Sequence, residues 1–153
     1  VLHDAAPEVR QAAIAASMSV AAELHKQDVL ALLHANEVEV AQRAFFSLKE
    51  KGLLPQQELL ALVKTSPHGS LRYWAAHAVK WERQHEHLLI QMLKDENLGV
   101  RSVAIGGLRQ IRSSASLDAV FGLLGHETDG TLLDHIRKML GEVAGVRNAD
   151  VLL

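Results

Sequence analysis

Nine histidines are spread through a chain of 153 residues: His3, His25, His34, His68, His77, His85, His87, His126 and His135. Two of them stand directly before a glutamate, as His85-Glu86 and His126-Glu127. Imidazole and carboxylate are the donors that hold zinc or non-haem iron, so such pairs point first to a metal centre that activates water or oxygen. His87 adds a donor two residues after His85, but helical geometry would splay those two rings apart. The competing reading is that of solvated histidines at helix starts. Cysteine is absent, which removes disulfides and thiolate metal sites. The chain carries neither a Gly-rich phosphate loop nor a nucleophile elbow.

The elements that would position these side chains follow a repeat best seen in Leu71–Val79, LRYWAAHAV. An apolar residue, often followed by Arg, leads to a small or apolar residue four on and a larger apolar one eight on. Val9-Arg10 leads to Ala13 and Ser17, Val40 to Ala44 and Leu48, and Leu71-Arg72 to Ala75 and Val79. Val100-Arg101 leads to Ala104 and Leu108, and Leu132 to Ile136 and Leu140. The starts lie 31, 31, 29 and 32 residues apart, and five copies at nearly constant spacing mark a repeat architecture. Offsets of zero, four and eight fall within about 80° on a helix, so each first helix has one apolar face. No single pair can cover that face, and neighbouring copies must stack around one core. The expected fold is therefore all-α, an α-solenoid of about five stacked helix pairs with the last one truncated.

Within a single domain over 1–153, the repeats are expected near 4–34, 36–65, 66–94, 95–125 and 126–153. Pro7 opens a helix to about Val20, and a second follows from Lys26 to His34. The next pair runs from Val38 to Lys51 and from Pro55 to Lys64, with Gly52 as a left-handed C-cap between them. The turn at Ser66–Ser70 leads to the central helix, Leu71 to about Glu82, and to a partner from Gln84 to Leu93. After Asp95-Glu96-Asn97 come Val100–Ile111 and Leu117–Leu124. The last helix is expected from Thr131 to near Gly141, with its partner cut short. No strand pattern of period two is visible.

The motif Asp-x-x-x-x-Val-Arg-x-x-Ala-x-x-x-Leu, best matched at Asp4–Arg10 and Asp95–Arg101, resembles the short HEAT-like repeats also seen in phycobilin lyase subunits. The resemblance covers essentially the whole chain. It implies a ladder of Asp and Arg between successive repeats, which makes Arg10, Arg72 and Arg101 structural. Ala41 and Leu133 take the Arg position in the second and fifth copies, and Ser17 replaces a large residue in the first. The HEAT-like iron enzyme deoxyhypusine hydroxylase carries its His-Glu pairs inside the first helices, just before the small residue. The corresponding pairs here are Gln11-Ala12, Gln42-Arg43, Tyr73-Trp74, Ser102-Val103 and Asp134-His135, none of them His-Glu. HEAT-like alkylpurine DNA glycosylases use a basic concave face, against which a net charge of −2 counts. No lyase-specific motif stands out.

The aromatic residues make a more specific candidate. Tyr73 and His77 lie at offsets two and six of the central helix, away from its apolar face, and one more turn brings Trp81 to the same side. Phe46 holds offset six one repeat earlier. Phe46, Tyr73, His77 and Trp81 are thus expected to form an exposed partner-binding patch across two repeats. The alternative is that Trp81, and Trp74 at offset three, cover gaps between helices as core. A second candidate surface is the row of second helices, with Gln57, Lys64, His87, Gln91, Lys94 and Asp118 turned outward.

Together these features indicate a non-catalytic protein-interaction or regulatory scaffold, with no cofactor and no metal, whose partner is another protein or another domain of a longer parent chain. Nucleic acid does not fit the charge balance. With no apolar run of membrane-spanning length and no signal-like start, membrane contact is not expected and the setting is read as cytoplasmic. The opening Val1 and the apolar end at Leu153 suggest a piece of a longer protein. The alternative is an enzyme or enzyme subunit on the same scaffold, of phycobilin-lyase, metal-hydroxylase or DNA-glycosylase type.

Overall fold

The computed structural model describes residues 7–19 and 26–150. Every regular element among them is helical, and the chain divides into two compact units, Val1–Val79 and Lys80–Leu153. The first unit holds α1 (Pro7–Ser19), α2 (Lys26–Leu32), α3 (Val38–Glu50), α4 (Gln56–Thr65) and α5 (Gly69–Ala78). The second holds a short 3-10 turn (Arg83–His85), then α6 (Glu86–Met92), α7 (Leu98–Ile111), α8 (Ser114–Leu123) and α9 (Gly130–Asp150).

In the first unit, α3 is the centre of the stack, packed against α1, α2 and α5, while α4 lies against α5. Its offsets of zero, four and eight (Val40, Ala44 and Leu48) are buried, and Phe45 beside them is fully covered. Leu71, Ala75 and Val79 are likewise buried. Removing a side chain such as Leu71 from a core of this kind costs about 2–5 kcal/mol. The first copy departs from the template: Val9 is 56% exposed, and Ile14 takes the buried position instead. Among the described helices α1 has a first-helix neighbour on one side only, α3, so its template face is not enclosed as that of α3 is.

Gly52 supplies the sharp stop after α3. Its φ of +64° is the left-handed conformation that costs a β-carbon-bearing residue about 1–2 kcal/mol. It lets the Leu53 amide reach back to the Leu48 carbonyl at 2.8 Å, closing the helix end. Pro55 then sits at the cap of α4 with an extended backbone, one residue before the helix begins.

In the second unit α7 is central, against α6, α8 and α9. Val100, Ala104 and Leu108 are buried on it, as are Leu132, Ile136 and Met139 on α9. The closest approach is at Gly107, where an added β-carbon would lie 2.7 and 2.9 Å from the two Cδ atoms of Leu89. Glycine is what allows α6 to seat Leu89 against α7. Side-chain caps start three helices: Asn97 Oδ1 accepts from the Val100 amide, Ser113 Oγ from Ser116, and Asp129 Oδ1 from Leu132.

Two boundaries correct the expectation from sequence. The central helix stops at Ala78, because Val79 adopts extended backbone (φ −65°, ψ 131°), so Trp81 is not on α5. The last helix runs through Gly141 as one element to Asp150 instead of ending there. A lone glycine costs a helix only about 1 kcal/mol, and no proline follows to enforce a stop.

Candidate interaction surface

The two His-Glu pairs are built into the architecture. Glu86 opens α6, and its carboxylate accepts hydrogen bonds from the hydroxyls of Ser113 and Ser116 at the start of α8. Those hydroxyls, Ser113 first, hold the Glu86 carboxyl below the usual carboxylate range. His85 accepts the Glu82 amide on Nδ1 at 3.1 Å and so caps the turn that precedes α6. Its ring also meets Trp81 edge-on, with centroids 5.9 Å apart.

Glu127 is the partner of Arg101. The Arg101 Nε donates to Glu127 Oε2 at 2.9 Å and Nη2 donates to Oε1 at 3.3 Å. The amides of Thr128 and Asp129 donate to the same carboxylate at 3.0 Å each. The Asp129 amide leads in holding this carboxyl below its ordinary value, and Arg101 adds to it against the opposing effect of burial. Arg101 Nη1 meanwhile donates to the carbonyls of Asp95 and Glu96 at 2.9 and 3.2 Å. His126 is exposed beside this cluster. Among the described residues no three His, Asp or Glu side chains gather in a way that would hold a metal ion.

The ladder implied by the repeat motif takes a specific form. Arg10 pairs with Glu37 just ahead of α3, as Arg101 pairs with Glu127 ahead of α9. In both cases the acid belongs to the junction of the following repeat. Arg72 donates to the carbonyl of Ser66, six residues back, as Arg101 does to that of Asp95.

The aromatic candidates fall into separate contacts. Phe46, 39% exposed on α3, packs on Trp74 of α5 with ring centroids 4.8 Å apart. Buried Phe45 supports both, 5.5 Å from Phe46 and 6.3 Å from Trp74. Tyr73 meets His77 one turn further along α5, edge-on at 5.3 Å. Phe46, Tyr73 and His77 therefore all belong to the first unit, and Trp81 to the second, where His85 is its neighbour. Trp74, the ring that joins α3 to α5, is only half-buried and is absent from the set expected from sequence. Its signal was there, since offset three is the position that leans over a gap between first helices.

The expected outward residues of the second helices, Gln57 and Lys64 in the first unit and His87, Gln91, Lys94 and Asp118 in the second, are all exposed. Phe121, 65% exposed on α8, has no counterpart in the sequence pattern, because one exposed Phe has no periodic signature. A groove of about 680 Å³ lies between the ends of α6 and α8, formed by tertiary packing that no local pattern encodes. No helix among the described residues is long and apolar enough to cross a membrane.

Stacked helix pairs, a period near 30 residues and arginines that reach the next junction define a helical-repeat protein of the α-solenoid class. The chain belongs to the HEAT-repeat family: the pattern of HEAT repeats matches residues 56–141, more than half of its length. No curated protein and no solved structure matches the chain.

Proposed function

We propose that the chain is a non-catalytic scaffold that binds another protein, or another domain of its parent chain, through exposed Phe46 and the half-buried aromatic side chains Tyr73, Trp74 and Trp81. The observation that carries this reading is the Phe46–Trp74 pair, an exposed ring on α3 packed on a half-buried one on α5, with buried Phe45 supporting both. Large rings fixed in place lose little conformational freedom on binding, which is why Trp and Tyr dominate binding hot spots. Tyr73 and His77 form a second contact on α5, and Trp81 with His85 a further one in the second unit. HEAT repeats commonly mediate protein–protein interaction, which supports the reading at the level of the family.

A site-specific test places a photo-crosslinking residue at position 46 or 73, and at 57 or 64 on the second helices as controls. The expected result, in lysate of the source cell, is one adduct of defined mass from 46 and 73 only, lost in Trp74→Ala at unchanged helicity. Adducts from 57 and 64 alone would move the contact to the other face. Failure to capture any reproducible adduct would overturn the scaffold reading.

A further inference from the structure

His85 stands at the third residue of the turn that opens α6, where a capping box ordinarily has Glu or Gln. The Glu82 amide donates to its Nδ1 at 3.1 Å, and its own amide donates back to the Glu82 carbonyl at 2.9 Å. A backbone N–H can only donate, so Nδ1 presents its lone pair and the ring proton sits on Nε2. A Gln at this position would accept the amide at any pH. Imidazole accepts it only while neutral, and histidine is the side chain that changes charge between pH 8 and 5. A proton on Nδ1 sets two donors face to face. The acids nearby already have donors: Glu86 accepts from the Ser113 and Ser116 hydroxyls at the start of α8, and Glu82 Oε2 from Gln84 Nε2 at 2.9 Å. The other charged or titratable groups of this corner are Lys80, Arg83, His87 and Arg112. His87 meets Gln91, and Arg112, the residue before Ser113, lies 3.8 Å from Glu142 of α9.

We infer that His85 is a proton-sensitive latch on the entry to α6. Neutral, it closes the turn; protonated, it must swing off the Glu82 amide. Trp81 is set by the same ring, edge-on with centroids 5.9 Å apart, so its environment changes with the latch. Any consequence for partner binding rests on the aromatic contacts proposed above, whereas the test below needs no partner and stands or falls apart from them.

The test uses the full chain labelled with ¹⁵N, with Trp74→Phe so that Trp81 is the sole tryptophan, titrated from about pH 8 to about pH 5.5. At the upper end the ¹⁵N shifts of the His85 ring should show the Nε2–H tautomer. On acidification the protection of the Glu82 amide, corrected for the intrinsic pH dependence of exchange, should fall about fivefold, the size of one lost cap. Trp81 fluorescence should change together with the His85 ring signals. His85→Gln should keep the amide protected and Trp81 unchanged over the whole range, because its carboxamide oxygen accepts where Nδ1 did. His85→Leu should show the open turn already at the upper end. The Nδ1–H tautomer there, or a Glu82 amide that does not respond to acid, overturns the latch. So does an equal response in His85→Gln, which would assign the change to another histidine.

Discussion

Arg101 and Glu127 face each other in a fork, Nε and Nη2 on the two carboxylate oxygens at 2.9 and 3.3 Å, with Glu127 almost wholly covered (6% exposed). Removing one member of such a pair leaves the other charge buried without compensation. Glu127→Ala should destabilise the second unit by about 2–4 kcal/mol. His126→Ala, next to it but exposed, should stay within about 0.5 kcal/mol. Urea unfolding in a Trp74→Phe background, where Trp81 alone reports on the second unit, separates the two. A metal-holding pair would show comparable losses for both residues.

The carboxyls of Glu86 and Glu127 are both held below their ordinary value in the folded chain. The sign follows from linkage. A depressed carboxyl stabilises the fold above its unfolded pKa of about 4.3, and that contribution is lost as pH falls from there through the lower folded value. The unfolding midpoint of the second unit should therefore drop steeply below about pH 4.5. Glu127→Gln should start less stable at pH 7 and show a shallower acid slope. Equal slopes for the two proteins would show that Glu127 titrates alike folded and unfolded.

Adjacent glycines on α7 should respond oppositely to alanine. Gly106 is exposed with open space around its β position, so Gly106→Ala should raise stability by about 0.5–1 kcal/mol through helix propensity. Gly107→Ala drives its β-carbon into both Leu89 methyls and should lower stability by about 1 kcal/mol despite the same propensity gain. Thermal unfolding of the two variants decides the matter.

Gly52→Ala isolates backbone strain from packing. Nothing lies within 4 Å of the added carbon, yet φ is +64°, so a loss of about 1 kcal/mol is expected from conformation alone. Gly52→Asn should lose less, since Asn tolerates the left-handed region better. Chemical denaturation of the first unit measures both.

How much of this could be read from sequence depended on whether the signal was local. Val40, Ala44 and Leu48, their counterparts on α5 and α7, and the Gly52 stop were legible because periodicity and a left-handed cap are written within one turn or two. The end of α5 was not, since Val79 leaves the helix without glycine or proline and takes Trp81 off it. Nor was the continuity of α9 past Gly141, where the rest of the helix outweighs one poor residue. In the candidate surface, Phe46, Tyr73 and His77 were assignable to helix faces. The ring that Phe46 touches depends on how α3 sits against α5, a tertiary fact. The roles of Glu86 and Glu127 were hidden for the same reason, because Ser113 and Arg101 lie 27 and 26 residues away.

Those separations have a kinetic consequence. Among the described residues, the Arg10–Glu37 and Arg101–Glu127 pairs have further counterparts in His34–Glu58, Arg109–Glu142 and His68–Ala35, and these side-chain links between neighbouring repeats join residues 24 to 33 positions apart. Each is therefore within about one period, and none requires a distant part of the chain to arrive first. Loop-closure entropy stays small at such spans, so each unit is expected to fold quickly, from whichever helix pair forms first outward. Amide exchange should report this as a gradient, slowest in α3 and α7, which are flanked on several sides, and faster toward α1 and α9.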